Sequence, residues 1–123
     1  MGSQSYKDLL VWQKSILLCT QVYQLCDKFP RSELYGLADQ MKRASVSVAS
    51  NIAEGQARQH LGEFLQFLSI ANGSLAELDT QRMISANLNL IDSEASLSLE
   101  NDITEIRKML YALRVGLKRS SSN

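Results

Sequence analysis

Pro30 is the only proline in 123 residues, and six glycines complete the chain's stock of turn-makers. A sheet-rich domain of this length needs a breaker at every strand end. So sparsely punctuated a chain is expected to fold into a few long helices.

The apolar residues carry the matching period. Four segments repeat them at spacings of three and four, the signature of one helical face. The first, about 6–27, holds two stripes: Leu9, Trp12, Ile16, Cys19, Tyr23 and Cys26, and beside them Val11, Leu18, Val22, Leu25 and Phe29. The residue before a proline avoids the α region, so Phe29-Pro30 ends it. The second, about 32–54, has the seam Leu34, Leu37, Met41, Ala44, Val48 and Ile52, with Gly55 expected just past its end. The third, about 61–87, runs through Phe64, Leu68, Ala71, Leu75 and Leu78. The fourth, about 93–118, uses Leu99, Ile103, Ile106, Leu110, Leu113 and Leu117. Asp92 is its expected N-cap, and Lys118 and Arg119 suit the negative end of its dipole. Short connections make sequential helices antiparallel neighbours. The predicted fold is therefore all-α, an up-and-down antiparallel four-helix bundle, as one domain over residues 6–118. Residues 1–5 are expected to be disordered or a remnant of expression, and 119–123 a frayed tail.

Charge is balanced in total but not in place. Residues 1–58 carry seven bases and five acids, residues 59–105 one base and eight acids, and residues 106–123 five bases and no acid. Wholesale coating of nucleic acid does not fit a neutral chain, whereas a local basic patch does. The available cations are Lys42, Arg58, Arg107, Lys108, Arg114, Lys118 and Arg119, with Arg43 a further one. As a set they read either as ordinary solubility or as a surface for nucleic acid or a protein partner. Aromatics such as Phe64 and Phe67 sit at core spacings, and no aromatic-basic interleaving is read from the sequence.

The charges are also missing where a monomer needs them. No charged residue occurs from Ser15 to Cys26, from Ala44 to Ala53, or from Phe64 to Ala76. A bundle helix normally shows water a face rich in Lys and Glu. Only the fourth segment does so, through Glu100, Asp102, Glu105, Arg107, Lys108, Arg114 and Lys118. The outer faces of the other three are expected to be covered by further copies of the chain. The alternative is that Ser, Gln, Thr and Asn alone solvate them.

The second segment holds a further pattern. Gln40, Arg43, Ser47, Asn51 and Glu54 form a polar line beside its apolar seam, and Ser74 and Glu77 lie in the third segment. Buried, such a line must be satisfied internally, with Arg43 balanced by Glu54 or Glu77. It reads as a network fixing helix register or subunit pairing, or alternatively as a binding groove.

Catalytic and metal chemistry find little material. One histidine, His60, excludes a His-pair metal site and fits a helix cap or exposed loop. Cys19 and Cys26 stand about 10 Å apart along a helix, too far for a disulfide, and read as buried thiols of a cytoplasmic protein. No phosphate-binding loop, dinucleotide fingerprint or hydrolase motif occurs. No catalytic residue, cofactor or metal is expected, and no apolar run approaches the ~18 residues of a membrane span.

Certain stretches carry a likeness to a known family: "DLLVWQKS", "FPRSELYGL", "QMKRASVSVASNIAEG", "FLSIANGSLAEL" and "IRKMLYALRVGL". Together they resemble the four-helix-bundle proteins encoded by intervening sequences in bacterial 23S ribosomal RNA genes. These are similar in fold to the accessory variability proteins of diversity-generating retroelements. His60 stands where members often have serine, and "NLNLI" replaces a more usual glycine-containing turn. The resemblance implies a homopentamer. It marks Gln40, Arg43, Ser47, Asn51, Glu54, Ser74 and Glu77 as signature positions. Accessory variability proteins are basic and bind nucleic acid and a reverse transcriptase, a role that a neutral chain fits poorly. The expected function is a non-enzymatic, homo-oligomeric scaffold that carries RNA or a protein partner such as a reverse transcriptase. The alternative is a self-assembling structural protein with no nucleic-acid role.

Overall fold

The computed structural model describes residues 5–122, the last two by their backbone only. Four α-helices account for most of them: α1 Leu10–Cys26, α2 Leu37–Ala57, α3 Leu61–Asn87 and α4 Ser93–Ser122. No strand occurs among the described residues.

Cross-helix contacts fix the directions. Cys26 meets Ala38, Tyr23 meets Lys42 and Cys19 meets Ser45, so α1 and α2 run oppositely. Between α2 and α3 the pairs are Met41–Ser85, Ser47–Ser74 and Gly55–Phe67, again antiparallel. Arg82 reaches Ser96 on α4, and α4 closes the ring on α1 through Gln21–Ser98 and Lys14–Glu105. The architecture is an up-and-down four-helix bundle.

The core is the apolar seams facing one another. Val11, Leu18, Val22 and Cys26 of α1 meet Met41, Val48 and Ile52 of α2, Leu68, Leu75 and Leu78 of α3, and Leu99, Ile103, Ile106 and Leu110 of α4. Each large side chain buried this way stabilises the fold by about 1.5–3 kcal/mol. Of the two stripes in the first segment, the one through Val11, Leu18 and Val22 supplies most of the core, and the other adds Cys26. Ile16 and Tyr23 of the other are 40% and 41% exposed.

Helix ends differ from the sequence expectations at four places. The first helix begins at Leu10, not Tyr6, because Leu9 is extended (φ −75°, ψ 121°) and separates a 3-10 turn over Tyr6–Asp8. The second begins at Leu37, not Ser32: Arg31–Glu33 forms a 3-10 turn behind Pro30, and Gly36 (φ −111°, ψ −108°) lies outside the helical region. Leu34, assigned to the seam, is therefore exposed in the connection. The same helix ends at Ala57, not Glu54, and Gly55 is inside it rather than past its end. The left-handed position that stops it falls on Gln59, at φ 59°. The fourth helix continues past Lys118 to Ser122, nothing after Gly116 being a helix breaker. Residues 1–4 and Asn123 lie outside the described residues.

The turn after α3 shows how "NLNLI" dispenses with glycine. Asn89 takes the left-handed conformation at φ 60°. The Leu90 amide then donates to the Ser85 carbonyl (2.9 Å) and the Asn89 amide to Ala86 (3.1 Å). That pair of bonds is a Schellman motif, and asparagine is the residue that best replaces glycine there. Asp92 then caps α4, its Oδ1 accepting from the Ala95 amide at 2.8 Å.

Candidate functional site

Two regions gather the residues singled out by sequence: the α2–α3 junction and the outer half of α4. At the junction the polar line is only partly a network. The Ser47 and Ser74 hydroxyls share a hydrogen bond of 2.8 Å. Asn51 Nδ2 donates to Ser47 Oγ (2.9 Å) and to the Ser47 carbonyl (2.8 Å). Spacing alone explains this: Ser47 and Asn51 are one turn apart on α2, and small residues bring α3 close enough for Ser74 to reach them. Ser74 is buried, and Ser47 and Asn51 are half-buried.

The remaining members face outward. Gln40, Arg43, Glu54 and Glu77 are exposed, so the line is not buried within one chain. Arg43 pairs with neither Glu54 nor Glu77. Its Nε donates to Asp39 Oδ2 at 2.8 Å, one turn back on the same helix, and that bond raises its already high pKa. An i,i+4 partner is always in reach, whereas a pair across the junction must hold two long side chains extended. Gln40, Arg43, Ser47 and Glu77 still share one open groove of about 300 Å³ with Ala44 and Gln81. The buried Gln81 Oε1 has no hydrogen-bond partner there.

Glu54 belongs to a different set at the end of α2. Arg58 donates to Glu54 (2.8 Å) and Glu63 (3.1 Å), which raise its pKa, and lies 5.0 Å from the Phe67 ring centre. This clamp sits where Gly55 lets α3 in. A Cβ on Gly55 would stand 2.7 Å from Phe67 Cβ and 3.1 Å from Phe64 Cδ1.

The seven-cation patch is split. Lys42 lies on the α1 side with Nζ 5.0 Å from the Tyr23 ring centre. Arg58 is held by its two carboxylates. Arg107, Lys108 and Arg114 line one groove between α3 and α4, and Lys118 and Arg119 follow on the exposed last turns of α4.

Residues 7–112 match the family described as 23S rRNA-intervening sequence protein. The chain belongs to that family. It is also similar to a crystal structure of a protein of unknown function from the S23 ribosomal protein family of Bacteroides thetaiotaomicron. The TM-score is 0.80 at 24% identity, over 85% of this chain and 95% of that one. At that identity the likeness concerns the fold alone. No curated protein matches the chain.

For this member of the intervening-sequence family, sequence reasoning missed one polar centre. Arg82 is 7% exposed and joins α3 to α4. It donates to Asp79 Oδ1 (2.9 Å) and Ser96 Oγ (2.8 Å) and pairs with Glu100 at 3.4 Å. The available signal was its isolation as the one base between residues 59 and 105. Both cysteines are free thiols. Burial pushes the Cys26 thiol up to about 11, with Asp27 assisting and Lys42 opposing. Among the described residues no cluster of His, Cys, Asp and Glu could hold a metal ion, and no helix is long and apolar enough to cross a membrane.

Proposed function

We propose that this intervening-sequence family protein is a non-enzymatic scaffold that works as a homo-oligomer, with α1, α2 and α3 against sister chains and α4 outward. One observation carries the reading: apolar residues stand exposed on the helices that contain the long uncharged stretches. Leu10, Ile16, Leu17 and Tyr23 on α1, Val46 on α2, and Leu61, Ile70, Met83 and Ile84 on α3 are all 38% or more exposed, against Leu97 and Tyr111 on α4. A monomer exposes such residues singly, not in sets of four as on α1 and α3. The non-enzymatic reading rests on the junction, where the Ser47 and Ser74 hydroxyls face each other and Asn51 rather than a base. The pentamer remains what the resemblance suggests.

Sedimentation equilibrium at micromolar concentration tests the assembly. Several copies are expected, and Ile70→Glu, which puts a charge on the bare α3 face, should dissociate them while leaving the helical signal intact. A well-folded single copy of the unaltered chain would refute the reading.

A further inference from the structure

Among the described residues, the groove between α3 and α4 gathers three cations that make no ion pair. Asn72 of α3 and Thr104, Arg107, Lys108, Tyr111 and Arg114 of α4 line it, around a volume of about 420 Å³. That is within the range of about 300–1,000 Å³ typical of ligand sites. The helix itself builds it: Arg107, Tyr111 and Arg114 are spaced by four and three, hence on one face, and Lys108, three before Tyr111, flanks them. None of the three cations makes an ion pair among the described residues. Arg114 is half-buried, and its buried Nε has no hydrogen-bond partner. No carboxylate lines the groove. The α3 wall is uncharged from Phe64 to Ala76, and Glu105 on α4 is engaged by Lys14 of α1 at 3.3 Å.

The feature that decides the ligand is Tyr111. It is 70% exposed and stands among three cations. An exposed ring between basic side chains is a stacking platform for an unpaired base, with the cations reaching the flanking phosphates. The sequence pattern hid this, because "RKMLYALR" separates its tyrosine from its bases by the core residues Met109, Leu110 and Leu113. An acidic peptide would use the charge and leave the ring idle. Duplex RNA would offer phosphates but no free base face.

We propose that the α3–α4 groove binds single-stranded RNA, with phosphates on Arg107, Lys108 and Arg114 and one base stacked on Tyr111. This deepens the scaffold reading by naming the partner of α4, and rests on that helix facing outward. Asn72 and Thr104 supply polar groups for the base edge or a 2′-hydroxyl.

Fluorescence anisotropy of a short, unstructured, labelled ribo-oligonucleotide tests it, with the same samples sedimented for subunit number. Three phosphate contacts predict a slope of log K against log salt of about −2 between roughly 50 and 200 mM. Replacing Arg107 and Lys108 by glutamine together should cut that slope to about −0.7. Tyr111→Ala should weaken binding about 5- to 150-fold. All three side chains are exposed, so the variants should keep the parent helical signal in circular dichroism. Lys28→Gln and Arg31→Gln, exposed cations at the α1–α2 connection, should bind as the parent does. No binding at low salt overturns the proposal. So does binding that the groove variants leave unchanged, or equal competition by polyglutamate or by duplex RNA. A single copy that binds through Tyr111 would refute the assembly and leave this site standing, and an assembly that binds nothing would do the reverse.

Discussion

Adding one methyl group to Gly55 separates the close approach of α2 and α3 from ordinary helix propensity. In an unobstructed helix interior, Gly→Ala gains about 0.8–1 kcal/mol. At Gly55 the new Cβ would lie 2.7 Å from Phe67 Cβ and 3.1 Å from Phe64 Cδ1. The first contact is at the root of a side chain on another helix, so rotation of the phenylalanine cannot relieve it. The two backbones must part, and overpacking of that kind costs about 1–3 kcal/mol. The net change is a loss of up to about 2 kcal/mol. Gly116→Ala provides the reference, since nothing lies within 4 Å of its added Cβ. It should gain up to about 1 kcal/mol. Urea unfolding followed by circular dichroism, at one fixed protein concentration because the proposed assembly would shift the midpoint, measures both. A Gly55→Ala protein as stable as Gly116→Ala would refute the close-packing argument.

Two further perturbations probe buried polar groups. Arg82→Met should destabilise by about 1–3 kcal/mol: it leaves the buried Ser96 hydroxyl without its 2.8 Å partner, while Asp79 and Glu100 can still reach water. A change in unfolding free energy below about 0.5 kcal/mol would mean the Arg82 contacts are incidental. Cys26 makes stability fall in alkali. The unfolded thiol ionises near 9.0 and the folded one near about 11, so between those values the unfolded chain sheds a proton that the folded chain keeps. The thiol's contribution, about 2–3 kcal/mol, is fully present below pH 9.0 and lost as pH rises through about 11. Subtracting the pH profile of Cys26→Ala should isolate that slope, and a flat difference would show that the thiol is not held neutral.

The four seams were legible because burial imposes the helical period directly on the sequence. Leu68, Ala71, Leu75 and Leu78 could not alternate in and out of water without breaking it. Helix ends were less legible, because they depend on what the next helix does. Gly55 follows an apolar run and reads as a stop, yet it is retained for the approach of Phe67. The stop itself falls on Gln59, a residue with no special preference for φ 59°. The site was the least legible part. Five polar positions on one line of α2 and two on α3 suggested one network, but Arg43 found a nearer partner in Asp39 and only Ser47, Asn51 and Ser74 bond together. Arg82 went unread because Ser96 and Glu100, two of its partners, lie across a turn on another helix.

The run of small residues in α2 ties these observations together. Its side chains are used on two flanks within the chain: Ser45 donates to Cys19 of α1 at 3.5 Å, and Ser47 bonds Ser74 of α3 at 2.8 Å. Val46 and Ser50 are left facing outward, bare of charge. A helix pressed from both sides by close neighbours cannot also carry a fringe of long charged side chains, because lysine and arginine stems need room to reach water. Smallness therefore selects for a bare outer face, which is the face the proposed assembly would cover. On α4 the constraint is absent. Its outer half carries Arg107, Lys108, Arg114, Lys118 and Arg119, all exposed except the half-buried Arg114. The surfaces proposed for self-assembly and for RNA thus fall on different helices, so a charge placed on Ile70 and an alanine at Tyr111 should act on subunit number and RNA affinity independently.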